Sequence, residues 1–274
     1  MLPKIFQFQN SLTSTTIIKM GIRIAIIIIA VTIVSYWHVM SNLESQVVEQ
    51  LDKYITELGQ RESSLFVLSE DNHAIYKKEF LSQLRQMGNE VPRERFNKIF
   101  QAQEDGTVRM HPQFFNGFKQ PDSGVLIKGL TGFIGQNLAI TDEIVQRVTI
   151  TFDMLTTFSP AWALWKNRFP NLYVSMPENI ILVNYFGTAW GLDAPADLKL
   201  PEEVRVAVAD QKHNPTRETV WTSVYHDTVA NDWMVSCATP VDVNGQHLIT
   251  IGHDILLNKL FERTIDVHLE GAYN

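Results

Sequence analysis

The chain of 274 residues contains a single cysteine, Cys237, which excludes an internal disulfide and any cluster of thiolate metal ligands. Basic residues are also scarce beyond residue 40. Three of the 23 lysines and arginines, and none of the 30 acidic residues, lie in residues 1–40, so the remainder has 20 basic and 30 acidic residues, a net charge of −10. A surface of this sign repels nucleic acid and anionic lipid.

Motifs of catalysis and of metal or phosphate binding are missing as well. The sequence has no H-x-H, H-E-x-x-H, C-x-x-C or G-x-S-x-G motif and no phosphate-binding glycine loop. Histidines and aspartates do fall on neighbouring predicted strands, but successive side chains on one strand point to opposite faces. Ser236 lies inside a strand with no predicted base beside it, and Cys237 is best explained as a small buried residue. We therefore expect no catalytic residue, no metal and no cofactor in these residues.

One long apolar run is present, at residues 20–40. As a helix, its 21 residues extend for about 31 Å, close to the thickness of the hydrocarbon core of a bilayer. Lys4, Lys19 and Arg23 precede or open the run, and no acid occurs before Glu44. This charge asymmetry predicts a cytoplasmic N-terminus and an extracytoplasmic main domain in a bacterial cell membrane. A cleaved signal peptide is the alternative, but no A-x-A-like cleavage site follows the run.

Six residues, all apolar except Arg61, then recur at alternate spacings of four and three, the pattern of a coiled-coil seam. They are Val47, Leu51, Tyr54, Leu58, Arg61 and Leu65. Residues 41–91 contain no proline, so a long stalk helix over residues 41–90 is predicted. Its seam fits a homodimer, or an amphipathic helix that packs on its own domain.

The rest of the chain predicts an α+β fold. Turn-forming residues separate short segments in residues 88–140, and Thr141 or Asp142 can cap a second helix with a buried stripe that ends at Leu155. A shorter helical piece is predicted from Pro160 to Arg168. Five antiparallel strands follow, joined in part by turns at 177–179 and 243–245; these strands are residues 172–176, 180–186, 219–225, 233–240 and 247–253. A last helix is predicted to begin near Asp254 or Ile255, and the helices are expected on one face of the sheet.

The order of these elements and their motifs resembles the double Cache (dCache) sensor domains of bacterial histidine kinases, chemoreceptors, diguanylate cyclases and regulatory phosphatases. The resemblance rests on the anchor, the stalk and a set of strand motifs: 221-WTSVYHD-227, 234-MVS-236, 239-TPV-241, 244-NG-245 and 251-IGHDI-255. It implies a PAS-like module with a five-stranded antiparallel sheet. It also implies that a small molecule is bound, with no catalysis in the sensing region.

The resemblance also implies where the ligand binds. In family members that bind amino acids or amines, a late tyrosine and the aspartate of G-x-D contact the ammonium, and Tyr225 and Asp254 occupy these positions. The upstream R-x-W-[YF] segment is represented only by Arg205, since both aromatics are absent. This departure puts amino-acid recognition in doubt and favours a larger, more apolar ligand, or none. The candidate ligands are therefore an amine, an amino acid and a larger apolar metabolite. The candidate ligand-binding residues are Tyr225, Asp254, Arg205, Trp190, Asp227 and Trp221.

Each candidate also has a structural explanation. Asp254 can cap the last helix, and Tyr225 can bury its ring and bond within the sheet. Trp190 can anchor a loop, and Trp221 can serve packing alone. Asp227 can form local side-chain to backbone bonds beside a turn.

The expected organisation has five parts: a cytoplasmic N-terminus (1–19), a transmembrane anchor (20–40), a stalk (41–90), a membrane-distal Cache module (91–262) and the start of a membrane-proximal module (263–274). We expect the ligand-sensing region of a signal-transduction receptor, with an effector such as a kinase, cyclase or phosphatase beyond it. A stand-alone anchored periplasmic binding or scaffolding protein is the alternative.

Overall fold

The computed structural model describes residues 12–120, 123–165 and 168–259 of the chain. They form two compact units, with the division between Arg61 and Glu62. Helix α1, Leu12–Met87, contributes residues to both units. It ends where Gly88 takes a φ of 55°, the left-handed conformation that commonly terminates helices.

In the first unit, α1 contains a stretch, Thr15–Gln50, that is long and apolar enough to cross a membrane by length and composition. Its large side chains, such as Ile26 and Ile28, are exposed. The side chains of five predicted seam residues lie outside the described part of the chain; these are Val47, Leu51, Tyr54, Leu58 and Arg61.

In the second unit, one stripe of α1 is buried against the rest of the fold. It consists of Leu65, Ser69, His73, Tyr76 and Phe80. The spacing of four, four, three and four residues keeps these side chains on one helix face. Leu65, the last member of the predicted seam, therefore packs in the core of this unit.

The sheet of the second unit has nine strands in the described residues, and every pair is antiparallel. Its path runs β1-β2-β5-β7-β6-β11-β10-β8, with β9 also paired to β10. The bounds are β1 Phe100–Ala102, β2 Val108–Met110, β5 Leu130–Ile134, β6 Asn171–Met176, β7 Ile180–Tyr185, β8 Val220–Trp221, β9 Tyr225–Asp227, β10 Asp232–Val243 and β11 Gln246–Leu256. A separate hairpin pairs β3, Phe118–Lys119, with β4, Leu126–Ile127.

The five predicted strands all form, and the α+β class is confirmed. The sheet is larger than the predicted five strands because β1, β2 and β5 extend it. The predicted strand 219–225 is divided into β8 and β9. Strand β11 is also longer than predicted, and this matters for the site. It continues through Asp254 and Ile255 to Leu256, so the predicted helix start at these residues is wrong.

Helices cover one face of the sheet, and helical turns and loops cover the other. On the first face the buried stripe of α1 and helix α4, Asp142–Trp165, enclose the larger core. Helix α4 bears the predicted stripe and continues through Pro160, so the separate helical piece predicted from Pro160 is wrong. Four short helices are also present: α2 Arg93–Ile99, α3 Gln113–Asn116 and, on the second face, α5 Trp190–Asp193 and α6 Val204–Ala207.

The second face has its own smaller core, which includes Phe133, Tyr173 and Val183 from the sheet and Trp190 and Val206 from the covering segment. The expectation that the helices lie on one face of the sheet is therefore wrong for α5 and α6. Every residue of β6 and β7 is buried, as in strands that are covered on both faces. Residues 263–274, predicted to open a further module, lie outside the described residues.

Candidate functional site

The hairpin of β10 and β11 places two sets of side chains on opposite faces of the sheet. Asn244 and Gly245 turn the chain with φ values of 52° and 78°, the positive values that a tight hairpin turn requires. The resulting register puts Ser236 opposite Asp254 and Cys237 opposite His253. Because neighbours on a strand face opposite ways, Ser236 and Asp254 point to the second face of the sheet.

Asp254 is the centre of a buried hydrogen-bond network on that face. Its carboxylate accepts from Asn171 Nδ2 and from Ser236 Oγ, each at 2.5 Å. The backbone N–H of Asp254 donates to Asn171 Oδ1 at 3.1 Å, so the Asn171 side chain is bonded at both ends. The Tyr225 hydroxyl lies 2.7 Å from Ser236 Oγ and 3.5 Å from Asp254 Oδ1.

The charge of Asp254 is not neutralised by a paired cation. In the part of the chain that the structure describes, no ion pair involves Asp254, although its side chain is buried. Burial raises the pKa of Asp254, and Arg205, Asn171 and Ser236 act in the opposite direction. An ionised carboxylate in such a place attracts a cationic group strongly.

Arg205 and Asp227 form a buried ion pair beside this network, and each has a side chain only 3 % exposed. Burial is the largest influence and acts to lower the pKa of Arg205, but Asp227, Tyr225, Asp254 and Tyr173 together outweigh it, and the net shift is upward. Trp190 completes the pair: its ring lies under the guanidinium at 4.5 Å, and its Nε1–H donates to Asp227 Oδ1 at 3.2 Å. Asp227 Oδ1 also accepts from the N–H of Val229 and Ala230, the local bonds expected of an aspartate at a turn.

Two polar atoms in the same region are without a hydrogen-bond partner among the described residues. They are the Tyr173 hydroxyl, which lies beside Ser236 outside bonding geometry, and Arg205 Nε. Tyr173 reaches this position because Gly252 lies directly beneath its ring: a Cβ on Gly252 would be 2.0 Å from Tyr173 Cζ. Unpartnered buried donors are uncommon in proteins and are available to a bound molecule.

The cluster is closed by the segment that follows β7. Trp190 opens α5, and Arg205 lies in α6. From strand β2, the Arg109 guanidinium donates to the carbonyl oxygens of Gly191, Leu192 and Ala194 at 3.1, 2.8 and 2.8 Å. These bonds hold the end of α5 against the sheet, so a ligand reaches Asp254 only if the covering segment moves.

The structure brings five of the six predicted residues together: Tyr225, Asp254, Arg205, Trp190 and Asp227. The sixth, Trp221, lies opposite Cys237 and therefore on the first face. There it packs on Phe66 at 4.7 Å and donates to Glu70 Oε1 at 3.0 Å. Its place agrees with the packing alternative.

Three members of the cluster were not predicted: Asn171, Tyr173 and Ser236. The register of β6 with β11, which pairs Tyr173 with Gly252, brings the first two beside Asp254. Alternation along β10 places Ser236 on the same face as its partner Asp254, a signal that was present in the sequence. Ser236 serves this network as a donor, and no imidazole contacts its hydroxyl among the described residues.

No protein-family model matches the chain, and no curated protein matches it. Solved structures do. One is the ligand-binding domain of the Pseudomonas aeruginosa chemoreceptor PctB with L-Arg, at 17 % identity and a TM-score of 0.34, covering 45 % of this chain and 50 % of that one. Another is the sensory domain of the Campylobacter jejuni chemoreceptor Tlp3 with isoleucine, at 16 % identity and a TM-score of 0.32, covering 48 % and 50 %.

A third is the ligand-binding domain of the P. aeruginosa chemoreceptor PctC with GABA, at 15 % identity and a TM-score of 0.28, covering 36 % of this chain and 42 % of that one. The chain thus spans half or less of the solved domains it matches. These neighbours are sensor domains of bacterial receptors, the class that the double Cache resemblance predicts.

Proposed function

We propose that this chain is the extracytoplasmic ligand-sensing region of a bacterial signal-transduction receptor, and that its ligand is a small molecule with a protonated amine. One observation carries the proposal: Asp254 is a buried carboxylate with hydrogen-bond donors around it and no paired cation among the described residues. A ligand ammonium would supply the missing charge through a charge-assisted hydrogen bond.

The neighbouring aromatics and Arg205 set the other contacts of the ligand. The Tyr225 ring and hydroxyl lie next to Asp254, where an aromatic face adds cation–π attraction for an ammonium. Arg205 is already paired with Asp227, so a carboxylate on the ligand would compete with Asp227 for the guanidinium. The site therefore favours an amine, and takes an amino acid only if the Arg205–Asp227 pair rearranges.

Membrane attachment and signal relay are parts of the same proposal. The apolar stretch of α1 would anchor the chain in the cell membrane, with the N-terminus in the cytoplasm and the second unit outside. The stalk would pair with a second copy through its seam, forming a homodimer. Ligand binding would favour one arrangement of the covering segment, and α1 would carry the change toward the membrane as a small displacement.

The proposal is tested on the full chain in lipid nanodiscs, by thermal shift and then calorimetry. The probes are primary amines, L-amino acids and carboxylates of matched carbon chain. We expect at least one amine-bearing probe to bind, and Asp254→Asn to weaken its binding by about 10- to 100-fold, the typical loss for a charge-assisted bond.

Asp197→Asn is the matched control, because Asp197 is exposed and should leave affinity unchanged. Wild-type affinity in Asp254→Asn would remove Asp254 from the site. A panel in which carboxylates alone bind, or in which nothing binds, would overturn the proposed ligand class.

A further inference from the structure

A second buried polar cluster lies on the opposite face of the sheet, against α1. His73 Nε2 of α1 and His253 Nδ1 of β11 are 2.7 Å apart, and His73 Nδ1 lies 2.7 Å from Thr239 Oγ1. The two imidazoles are 0 % and 1 % exposed. A bond between two ring nitrogens needs one N–H and one bare nitrogen, which a pair of neutral imidazoles provides.

Among the described residues, a thiol and an aromatic ring face the pair. From β10, the Cys237 thiol is 3.7 Å from His73 Nδ1, and burial raises the pKa of this thiol, so it remains uncharged. On the other side, the Phe169 ring meets His253 edge to face at 5.0 Å. Neither group offers a formal negative charge to an imidazolium.

The charged residues near the pair are engaged elsewhere. On α1, Glu70 accepts from Trp221 and Lys77 donates to the Pro240 carbonyl at 3.2 Å. Burial, and then Asp153 of α4, raise the pKa of Tyr76, the next buried residue of the α1 stripe. Asp153 also accepts a hydrogen bond from Arg95. Glu70 and Asp153 are therefore each hydrogen-bonded to a side chain other than these histidines.

Burial lowers the pKa of His73 to about 3, and it lowers the pKa of His253 as well, with His73 adding to that effect. Both rings are neutral at neutral pH while α1 lies on the sheet. One extra proton could be shared along the 2.7 Å bond at the expense of burying a charge, and a second would place two cations in contact.

We propose that His73 and His253 form an acid-sensitive contact that holds α1 on the sheet when both rings are neutral and releases it when they are protonated. The contact connects the two elements that the proposed relay needs: α1, and the strand β11 whose next residue is Asp254. It is separate from the ligand cluster, because His253 and Asp254 point to opposite faces. The inference does not depend on the identity of any ligand.

The direction of the pH dependence follows from which state, open or closed, binds more protons. When α1 lifts away, each ring regains the ordinary histidine pKa of about 6.5, so the open state binds more protons than the closed state below that pH. Closure is fully favoured above about pH 7 and is lost progressively as the pH falls. Between about pH 7.5 and about pH 5, the opening equilibrium should rise by about 30-fold for each histidine that titrates on opening.

Hydrogen exchange on the full chain in nanodiscs measures this equilibrium, as protection factors for peptides of α1 from Leu65 to Phe80. We expect protection to fall between the two pH values by about 30-fold to about 1000-fold. His73→Gln and His253→Gln should each remove about 30-fold of this change, and the double variant should open to the same extent at both pH values.

His213→Gln is the control, because His213 is exposed in both states and its loss should leave the pH dependence intact. A readout that needs no variant is histidine NMR of the wild type: both buried rings should remain neutral at about pH 5.5. Protection that is equal at the two pH values, or a midpoint near 6.5 for either ring in the folded protein, would overturn the proposal. Neither result affects the amine-binding test.

Discussion

At the scale of single residues, the buried cluster around Asp254 contains two carboxylates, Asp227 and Asp254, and one guanidinium, Arg205. Arg205 is matched by Asp227, while Asp254 is left with neutral donors from Asn171 and Ser236. Burying an unpaired carboxylate costs several kcal/mol unless it is compensated, roughly the strength of one good ionic contact. Entry of the proposed cationic ligand would compensate this charge and so stabilise the closed structure.

The raised pKa of Asp254 also predicts that the stability of the fold depends on pH. Because the folded pKa is raised, the folded chain binds more protons than the unfolded chain above about pH 4, and stability falls as pH rises through the folded pKa. Asp254→Asn lacks this loss. We therefore expect the difference in free energy of unfolding to move in favour of the variant as pH rises, by up to about 1.4 kcal/mol per pH unit.

Urea unfolding of the two proteins between about pH 4 and pH 8 measures that difference. Asp197→Asn should show no comparable slope against the wild type, since its carboxylate is exposed. A difference that moves in favour of the wild type as pH rises would mean that the folded pKa of Asp254 is depressed.

At the scale of elements, the hairpin of β10 and β11 was predictable, because Asn244-Gly245 specifies the turn and the flanking residues favour strands. The face of Trp221 was not predictable: alternation along one continuous strand, 219–225, would place it beside Tyr225, but the strand is divided into β8 and β9 and Trp221 lies opposite Cys237. The end of β11 was not predictable either, since an aspartate near an apolar run fits a helix cap as well as a strand.

The remaining errors concern contacts between residues far apart in the chain. Strands β1, β2 and β5 are short, and β5 finds its partner β7 about 50 residues later, a separation that local propensity does not encode. The Arg205–Asp227 pair likewise forms only when α6 folds over β9. Residue types identified most of the cluster, and only the three-dimensional structure showed that two of its members bind each other.

The covering segment offers a prediction at this scale. Arg109 donates three hydrogen bonds to carbonyl oxygens at the end of α5 and packs over the Phe133 ring at 5.2 Å. Arg109→Met keeps the apolar stem and removes the donors. We expect it to cost about 2 kcal/mol and to increase hydrogen exchange in residues 189–194, with little effect on β6 and β7.

Arg95→Met is the comparison variant, because Arg95 pairs with Asp153 at a half-exposed position and should cost less than about 1 kcal/mol. Equal losses in the two variants, or exchange that increases evenly through the sheet, would mean that Arg109 does not hold the covering segment in particular.

At the scale of the whole molecule, α1 combines two kinds of surface in one helix. Thr15–Gln50 has the length and composition of a membrane span, and residues 65–80 carry the stripe that is buried in the second unit. In the proposed function, a change at the sheet would reach the membrane through this helix, which contributes residues to both units. Ser69 and His73 are polar members of this buried stripe. Through His73, the proposed acid-sensitive contact would make the packing of the stripe on the sheet depend on pH.

The proposed orientation is testable with cysteine labelling, because the single native cysteine, Cys237, is fully buried and should react slowly. In intact cells treated with a membrane-impermeant maleimide, we expect Lys212→Cys to be labelled and Gln9→Cys to be protected. After permeabilisation both should react, and the wild type provides the background. Labelling of Gln9→Cys in intact cells would reverse the orientation. Protection of Lys212→Cys would place the second unit in the cytoplasm, and a ligand from outside the cell could not reach Asp254 there.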